Sequence, residues 1–268
     1  VKIGAYDGFG YQRQAGVGLR RFQGGEGLGR GVAEKLAEAG VILTLNAREP
    51  KQLRETARAI GKEYGVEVGI VAADVTTEDG REALMRAEPR PDILVTNAGG
   101  PPPGDWSSVT EDNWLEAIRA NMLAPILLMK ALIPGMIERK WGRIVNITSA
   151  SVKSPIPELC LSNGARTGLT GFVAGTARQV ARHGVIINNL LPGSHETERL
   201  EKLLEKSAKA RGISLEEARA EEYAQNPTGR IGTPSEFGAA AAFLCSQYAG
   251  YIVGQNLLLD GGALNSTL

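Results

Sequence analysis

Ile93-Leu94-Val95-Thr96-Asn97-Ala98-Gly99 is a short apolar run that ends in a turn composition. Apolar residues in succession, without alternation, fit a strand covered on both faces. The run recurs in kind at Val41–Leu45, Val66–Ala72, Arg143–Thr148, Val185–Leu190 and Asn256–Leu259. Helical patterns fill the intervals: Gly29–Ala39, Pro50–Tyr64, Glu78–Ala87, Glu111–Arg139, Ser162–Arg182 and Ser235–Gln247. This alternation predicts an α/β fold, a single doubly wound (Rossmann-type) parallel sheet with helices on both faces. Pro125 and Pro134 predict a kink or late break in Glu111–Arg139. Thr110 with Asn113, and Thr233-Pro234 with Glu236, read as helix starts.

No repeat or linker divides residues 1–268, so one domain is expected. Residues 197–227 carry no strand pattern. They are charged and helical, with Glu201, Lys202, Glu205, Lys206 and Lys209 on a solvated face and Leu200, Leu203 and Leu204 between them. An insertion after a strand's C-terminal end reads as a lid. Thirty basic and thirty acidic side chains cancel, which points away from nucleic acid and anionic membrane as partners. No apolar stretch of about 18 residues is read as a span, and the start lacks a signal-peptide core. Cys160 and Cys245 have neither disulfide-framework nor zinc spacing, and there are two histidines, so no metal site is expected. Two buried free thiols and a cytoplasmic location are expected.

In open α/β sheets, ligands sit at the carboxyl ends of the strands. Gly24-Gly25-Glu26-Gly27-Leu28-Gly29 opens a helix, as a pyrophosphate-binding turn does. The valine- and isoleucine-rich strand that should precede it is not evident: Gly18-Leu19-Arg20-Arg21-Phe22-Gln23 stands there. Asn97-Ala98-Gly99, Asn121, Ser149, Pro192-Gly193 and Asp260-Gly261-Gly262 follow in order, each bland alone.

As an ordered set these residues, with Asp74-Val75, Asn146-Ile147-Thr148-Ser149, Thr197 and Gly254-Gln255, resemble the short-chain dehydrogenase/reductase family from about Gly27 to Gly262. Bacterial 3-oxoacyl-carrier-protein reductases and sugar dehydrogenases are the members most resembled. The resemblance implies a reductase or dehydrogenase of carbonyl and secondary-alcohol substrates, using NADP or NAD, and a homotetramer or homodimer. It implies that Gly25, Gly27, Leu28 and Gly29 cradle the pyrophosphate. Asp74 and Val75 would meet the adenine and Asn97, Ala98 and Gly99 the ribose. Pro192, Gly193 and Thr197 would hold the nicotinamide end. Ser149 would bond the substrate oxygen, and Asn121 would anchor a relay water.

The family's Tyr-x-x-x-Lys falls in register on Ser162 and Arg166. The spacing sets both on one helix face. A serine hydroxyl is a far weaker acid than a phenol and needs a base, and an arginine cannot give up its proton. Two readings stand. In one, Ser162 and Arg166 form a variant catalytic site, with the proton from water, Ser149 or the substrate. In the other, Ser162 is only a helix cap and Arg166 a solvated or cofactor-binding cation. A dinucleotide-binding or regulatory protein without turnover is the corresponding alternative function. His195 is a further acid in reach of the same loop. Before Gly27, Gln23 stands where the family's first glycine belongs. Either the first strand is degraded or this segment is not a faithful version of the family chain. Asn46-Ala47-Arg48 after the second strand lacks an acid and supplies an arginine, which favours NADP; Glu26 opposes a phosphate.

Overall fold

A computed structural model of the chain describes residues 15–19 and 27–267. Seven strands form one sheet in the order β3-β2-β1-β4-β5-β6-β7, and every pair is parallel. They are β1 Ala15–Leu19, β2 Ile42–Ala47, β3 Val68–Ala72, β4 Ile93–Asn97, β5 Gly142–Ile147, β6 Val185–Pro192 and β7 Asn256–Leu259. The reversal of strand order between β1 and β4 is the crevice where such sheets take ligands.

The first strand corrects the sequence expectation. It is present, but earlier, as Ala15–Leu19, with Gly16 opposite Leu43 and Ile93. Its Ala-Gly-Val-Gly-Leu composition lacks the β-branched run, and flanking strands on both sides supply its ladder partners. Gly25 and Glu26 lie outside the described residues.

Helices cover both faces. One face carries α1 Leu28–Glu38, α2 Pro50–Tyr64 and α9 Pro234–Cys245. The other carries α3 Glu78–Ala87, α5 Ala124–Glu138 and α6 Cys160–Val180. Within β5, Ile144 faces one layer, while Val145 and Ile147 face the other. Strand β5 is buried throughout and β6 up to Pro192; the edge strands β3 and β7 are half exposed.

The long helix does not break at Pro134, which lies inside α5. The irregularity comes earlier, as a π-turn over Arg119–Leu123 between α4, Glu111–Ile118, and α5. Ala124 donates to the Arg119 carbonyl, five residues back. Residue 125 is proline, so the Asn121 carbonyl receives no ordinary i+4 bond. The Glu111–Glu138 stretch is long and apolar enough to cross a membrane by composition, but Leu128, Met129, Leu132 and Met136 on it are core residues. Thr110 and Asn113 make a complete capping box, as do Thr233 and Glu236.

Residues 197–227 form a helical hairpin of α7, Glu198–Arg211, and α8, Leu215–Ala224. It has its own small core of Leu204, Ala208 and Ala218, with Leu200 packed against it. Arg211–Glu221 and Arg219–Glu201 pair across it, and the Ser194 hydroxyl bonds Glu222.

Candidate active site

The crevice is built from the C-terminal ends of β4, β5 and β6. Side chains hold these ends level. Thr96 donates to Asn146 at 2.7 Å, Asn146 to Asn189 at 3.2 Å and Asn189 to Asn256 at 2.8 Å. This polar chain crosses four strands beneath the site. Only Asn146 among its members was among the residues that carried the family resemblance. Three asparagines in strand positions, where they are normally depleted, were the available signal.

Ser149 follows β5 directly and caps a 3-10 turn, Ala150–Val152. Its oxygen accepts the Ser151 N–H at 3.1 Å. A hydroxyl has one donor and two acceptor sites. The turn therefore uses an acceptor site, and the Ser149 proton is left to donate elsewhere.

Helix α6 brings Ser162 and Arg166 to the same crevice. It lies close to the α4–π-turn segment because Gly164 and Gly168 face it: a Cβ at either would come within 2.7 Å of Trp114 or 2.8 Å of Met122. Ala117, Leu161 and Ala165 fill the contact. Two sequence readings are corrected here. Ser162 is not a helix cap, because α6 starts at Cys160 with Leu159 at the cap position. Arg166 is not solvated, being 6% exposed. Its guanidinium donates to the Ile147 carbonyl at 2.9 Å and the Ala98 carbonyl at 3.1 Å. Burial, and then the nearby Arg199 charge, lower its pKa to about 10. It remains a cation at neutral pH, fixed beneath the Asn97–Gly99 turn.

Asn121 is buried in the π-turn. Its amide donates to Ala117 at 3.3 Å, while its Oδ1 has no partner. Thr148 Oγ1 and Ser151 Oγ are likewise buried without partners. Polar atoms in that state ordinarily hold ordered water.

The dinucleotide-binding expectations fall along the same strand ends. Gly27 caps α1 with no side chain, and among the described residues nothing lies within 4 Å of a Cβ placed there. A helix N-terminus of this kind suits an anion. Leu28 and Gly29 start that helix. Asn46 is buried, and its amide is used to strap β2 to the Val71 and Ala73 carbonyls at 2.8 and 3.1 Å. Arg48 is half exposed beside Asp74 at 3.6 Å. Burial raises the Asp74 pKa, but bonds from Thr76 and then Arg48 outweigh it and leave a net lowering. Val75 lies beside Asp74 and packs on the α5–α6 layer. Gly193 donates to Leu259 at 2.8 Å, and any Cβ there would come within 2.6 Å of Asp260. Pro192 ends β6. Thr197 caps α7 through the Leu200 N–H. Arg199, one turn into the lid, reaches the Pro101 carbonyl at 3.3 Å.

His195 is not presented to this crevice as a free acid. It is 5% exposed, edge-on to Phe237, with Nδ1 at 3.2 Å from the Gly193 carbonyl. Burial pushes its pKa down, so the neutral ring is favoured. Cys245 is buried, while Cys160 is only partly so, which corrects the expectation of two buried thiols.

A doubly wound parallel sheet with a glycine turn at α1 and a hydroxyl–amide cluster at the β4 and β5 ends defines a dinucleotide-binding class. The comparisons agree. The profile of the family described as enoyl-(acyl carrier protein) reductase matches residues 24–264. The 3-oxoacyl-[acyl-carrier-protein] reductase of Vibrio cholerae is 33% identical, over 88% of this chain and 92% of that one. The uncharacterized oxidoreductase YvaG of Bacillus subtilis is 29% identical, over 90% and 93%. The structure of L-sorbose reductase from Gluconobacter frateurii, complexed with NADPH and L-sorbose, superposes with a TM-score of 0.89 at 28% identity, covering 96% and 99%. The chain belongs to this family, within the short-chain dehydrogenase/reductases, and is an oxidoreductase of that type.

Proposed function

We propose that the chain reduces a carbonyl, or oxidises the corresponding secondary alcohol, with NADP preferred over NAD, and that its substrates resemble 3-oxoacyl thioesters. Gly27, Leu28 and Gly29 would hold the diphosphate, with Asp74, Val75 and Asn97 to Gly99 along the adenosine half. Pro192, Gly193 and Thr197 would hold the nicotinamide. The fit rests on the N-terminus of α1 after Gly27 and on orphaned polar atoms at Asn121 and Thr148. When bound, a nicotinamide dinucleotide supplies or accepts the hydride. NADP preference is supported by half-exposed Arg48 with no acid in its place; a phosphate would take over from Asp74 as its partner.

The chain's own work is orientation and proton supply. Ser149 donates to the substrate oxygen, its proton being left free by the bond it accepts from Ser151. Arg166 is a fixed positive charge close to the developing oxyanion, and it moves no proton. The proton comes from solvent by way of a water that donates one hydrogen bond to Asn121 Oδ1 and passes its other proton on. Ser162, on the Arg166 face of α6, would complete that water's coordination. The observation that supports this reading most is Arg166 bonded to the Ile147 and Ala98 carbonyls at the β5 and β4 ends, with Ser149 directly after β5.

One observation favours a second reading, a dinucleotide-binding protein without turnover. Arg166 already donates to two backbone carbonyls, and the arginine cannot give up a proton. NADPH oxidation with a 3-oxoacyl thioester separates the two. Turnover that falls about 100-fold in Ser149→Ala supports the enzyme. NADPH binding with no turnover on any carbonyl supports the second reading.

A homodimer is supported by exposed Leu115, Leu123 and Leu127, which recur at helical spacing along α4, the π-turn and α5.

A further inference from the structure

The outer edge of β3 and the neighbouring face of α2 form a groove of about 350 Å³, far along the sheet from the β5–β6 crevice. Its floor is apolar: Ala57, Gly61, Val68 and Ile70, with Ile70 37% exposed. A Cβ at Gly61 would stand 3.2 Å from the Val66 carbonyl oxygen and 3.8 Å from Val68 Cγ2, so glycine leaves room there. Its wall is a row of exposed cations, Arg54, Arg58 and Lys62.

Several exposed cations elsewhere sit in ion pairs, as Arg86–Glu82, Lys202–Glu198, Arg211–Glu221 and Arg230–Glu236 do. Among the described residues, Arg54, Arg58 and Lys62 have no ion-pair or hydrogen-bond partner. Like charges at i, i+4 and i+8 destabilise a helix. Beside the row, β3 ends the sheet, so among the described residues one edge of its backbone has no strand partner.

We propose that this groove is a docking site for an acidic extended segment of a protein partner, which adds to the β3 edge as an eighth strand. Cations four residues apart on a helix stand about 6 Å apart. Alternate residues of an extended chain repeat at about 6.6 Å. Carboxylates at alternate positions therefore match Arg54, Arg58 and Lys62 in turn. Main-chain bonds supply affinity in such additions, and side-chain pockets supply selectivity. A membrane or nucleic acid fits less well. Exposed Glu55, Glu63 and Glu67 flank the row, and the chain has no net charge, so the positive field is a narrow stripe.

The test uses the full chain and a fluorescently labelled peptide, acetyl-(Glu-Val)4-amide, read by anisotropy at low salt. Saturable binding is expected. Arg58→Glu should weaken it at least tenfold, as should Ile70→Asp. Arg58→Glu adds favourable pairs to α2, so a fall in its binding cannot be ascribed to misfolding. A peptide N-methylated at alternate residues, unable to pair with β3, should bind at least tenfold more weakly. No saturable binding, or equal binding of the (Lys-Val)4 peptide, overturns the proposal. So does binding of phosphatidylglycerol vesicles or single-stranded RNA through the same row without peptide binding. Equal binding of the N-methylated peptide overturns strand addition.

Discussion

Arg166 shows how one side chain sets the chemistry open to the site. A lysine at this position has a flexible point charge and a proton it can lose; an arginine has neither. Here the guanidinium ties the β5 end to the loop after β4 through two buried carbonyls. Arg166→Met leaves those carbonyls unsatisfied and should cost about 2–4 kcal/mol of stability in urea unfolding. Arg166→Lys, which can still reach one carbonyl, should cost less. A cost within 0.5 kcal/mol, about the range of ordinary surface substitutions, would show that the two bonds do not hold the strand ends. The spacing alone put Ser162 and Arg166 on one helix face, and both are buried there. What the guanidinium bonds was not legible, because its acceptors lie 19 and 68 residues earlier in the chain. His195 was open for the same reason. Its partner Phe237 and its neighbour Gly232 arrive from distant sequence.

Among the elements, α1 and α9 illustrate what glycine permits. A Cβ on Gly31 would sit 2.1 Å from the Pro234 carbonyl oxygen, and one on Gly238 2.2 Å from the Gly31 oxygen. Backbone cannot yield as a flexible side chain does. Gly31→Ala should therefore destabilise by about 1–3 kcal/mol, read by thermal or urea unfolding, despite alanine's better helix propensity. Gly238, Ala241 and Ala242 of α9 are buried within this chain. The α9 cap gives a pH signature. The Arg230 side chain, with the Thr233 N–H, holds the Glu236 carboxyl down at about 2. A depressed folded pKa contributes stability above the unfolded value near 4.5 and loses it as pH falls to about 2. The stability gap between wild type and Glu236→Gln should be constant above pH 5, shrink below it and close by about pH 2. A pH-independent gap would contradict the assignment. The strands and most helices were legible from apolar runs and caps, with ends shifting by one or two residues. The first strand was not, since Ala-Gly-Val-Gly-Leu has no strand pattern and forms between β2 and β4. The π-turn had a signal in Pro125, which with Pro134 was read as a kink or late break without its form or place.

For the whole molecule, the ordered set of motifs reached the sheet class, the crevice and the family. Those motifs are local in sequence and sit at successive strand ends. Assembly is less visible in sequence, because an apolar stripe on a long amphipathic helix reads as core until the core is seen. Leu123→Asp with Leu127→Asp should convert a dimer to monomers by light scattering, with the fold kept by circular dichroism. An unchanged mass would remove that face as the interface. The role of dinucleotide in this fold is tested most directly by calorimetric titration of the purified chain with NADPH and NADH. One NADPH should bind per chain, more tightly than NADH, and Arg48→Ala should bring the two affinities together. Heats that show binding of neither nucleotide would contradict a dinucleotide site at the α1 turn.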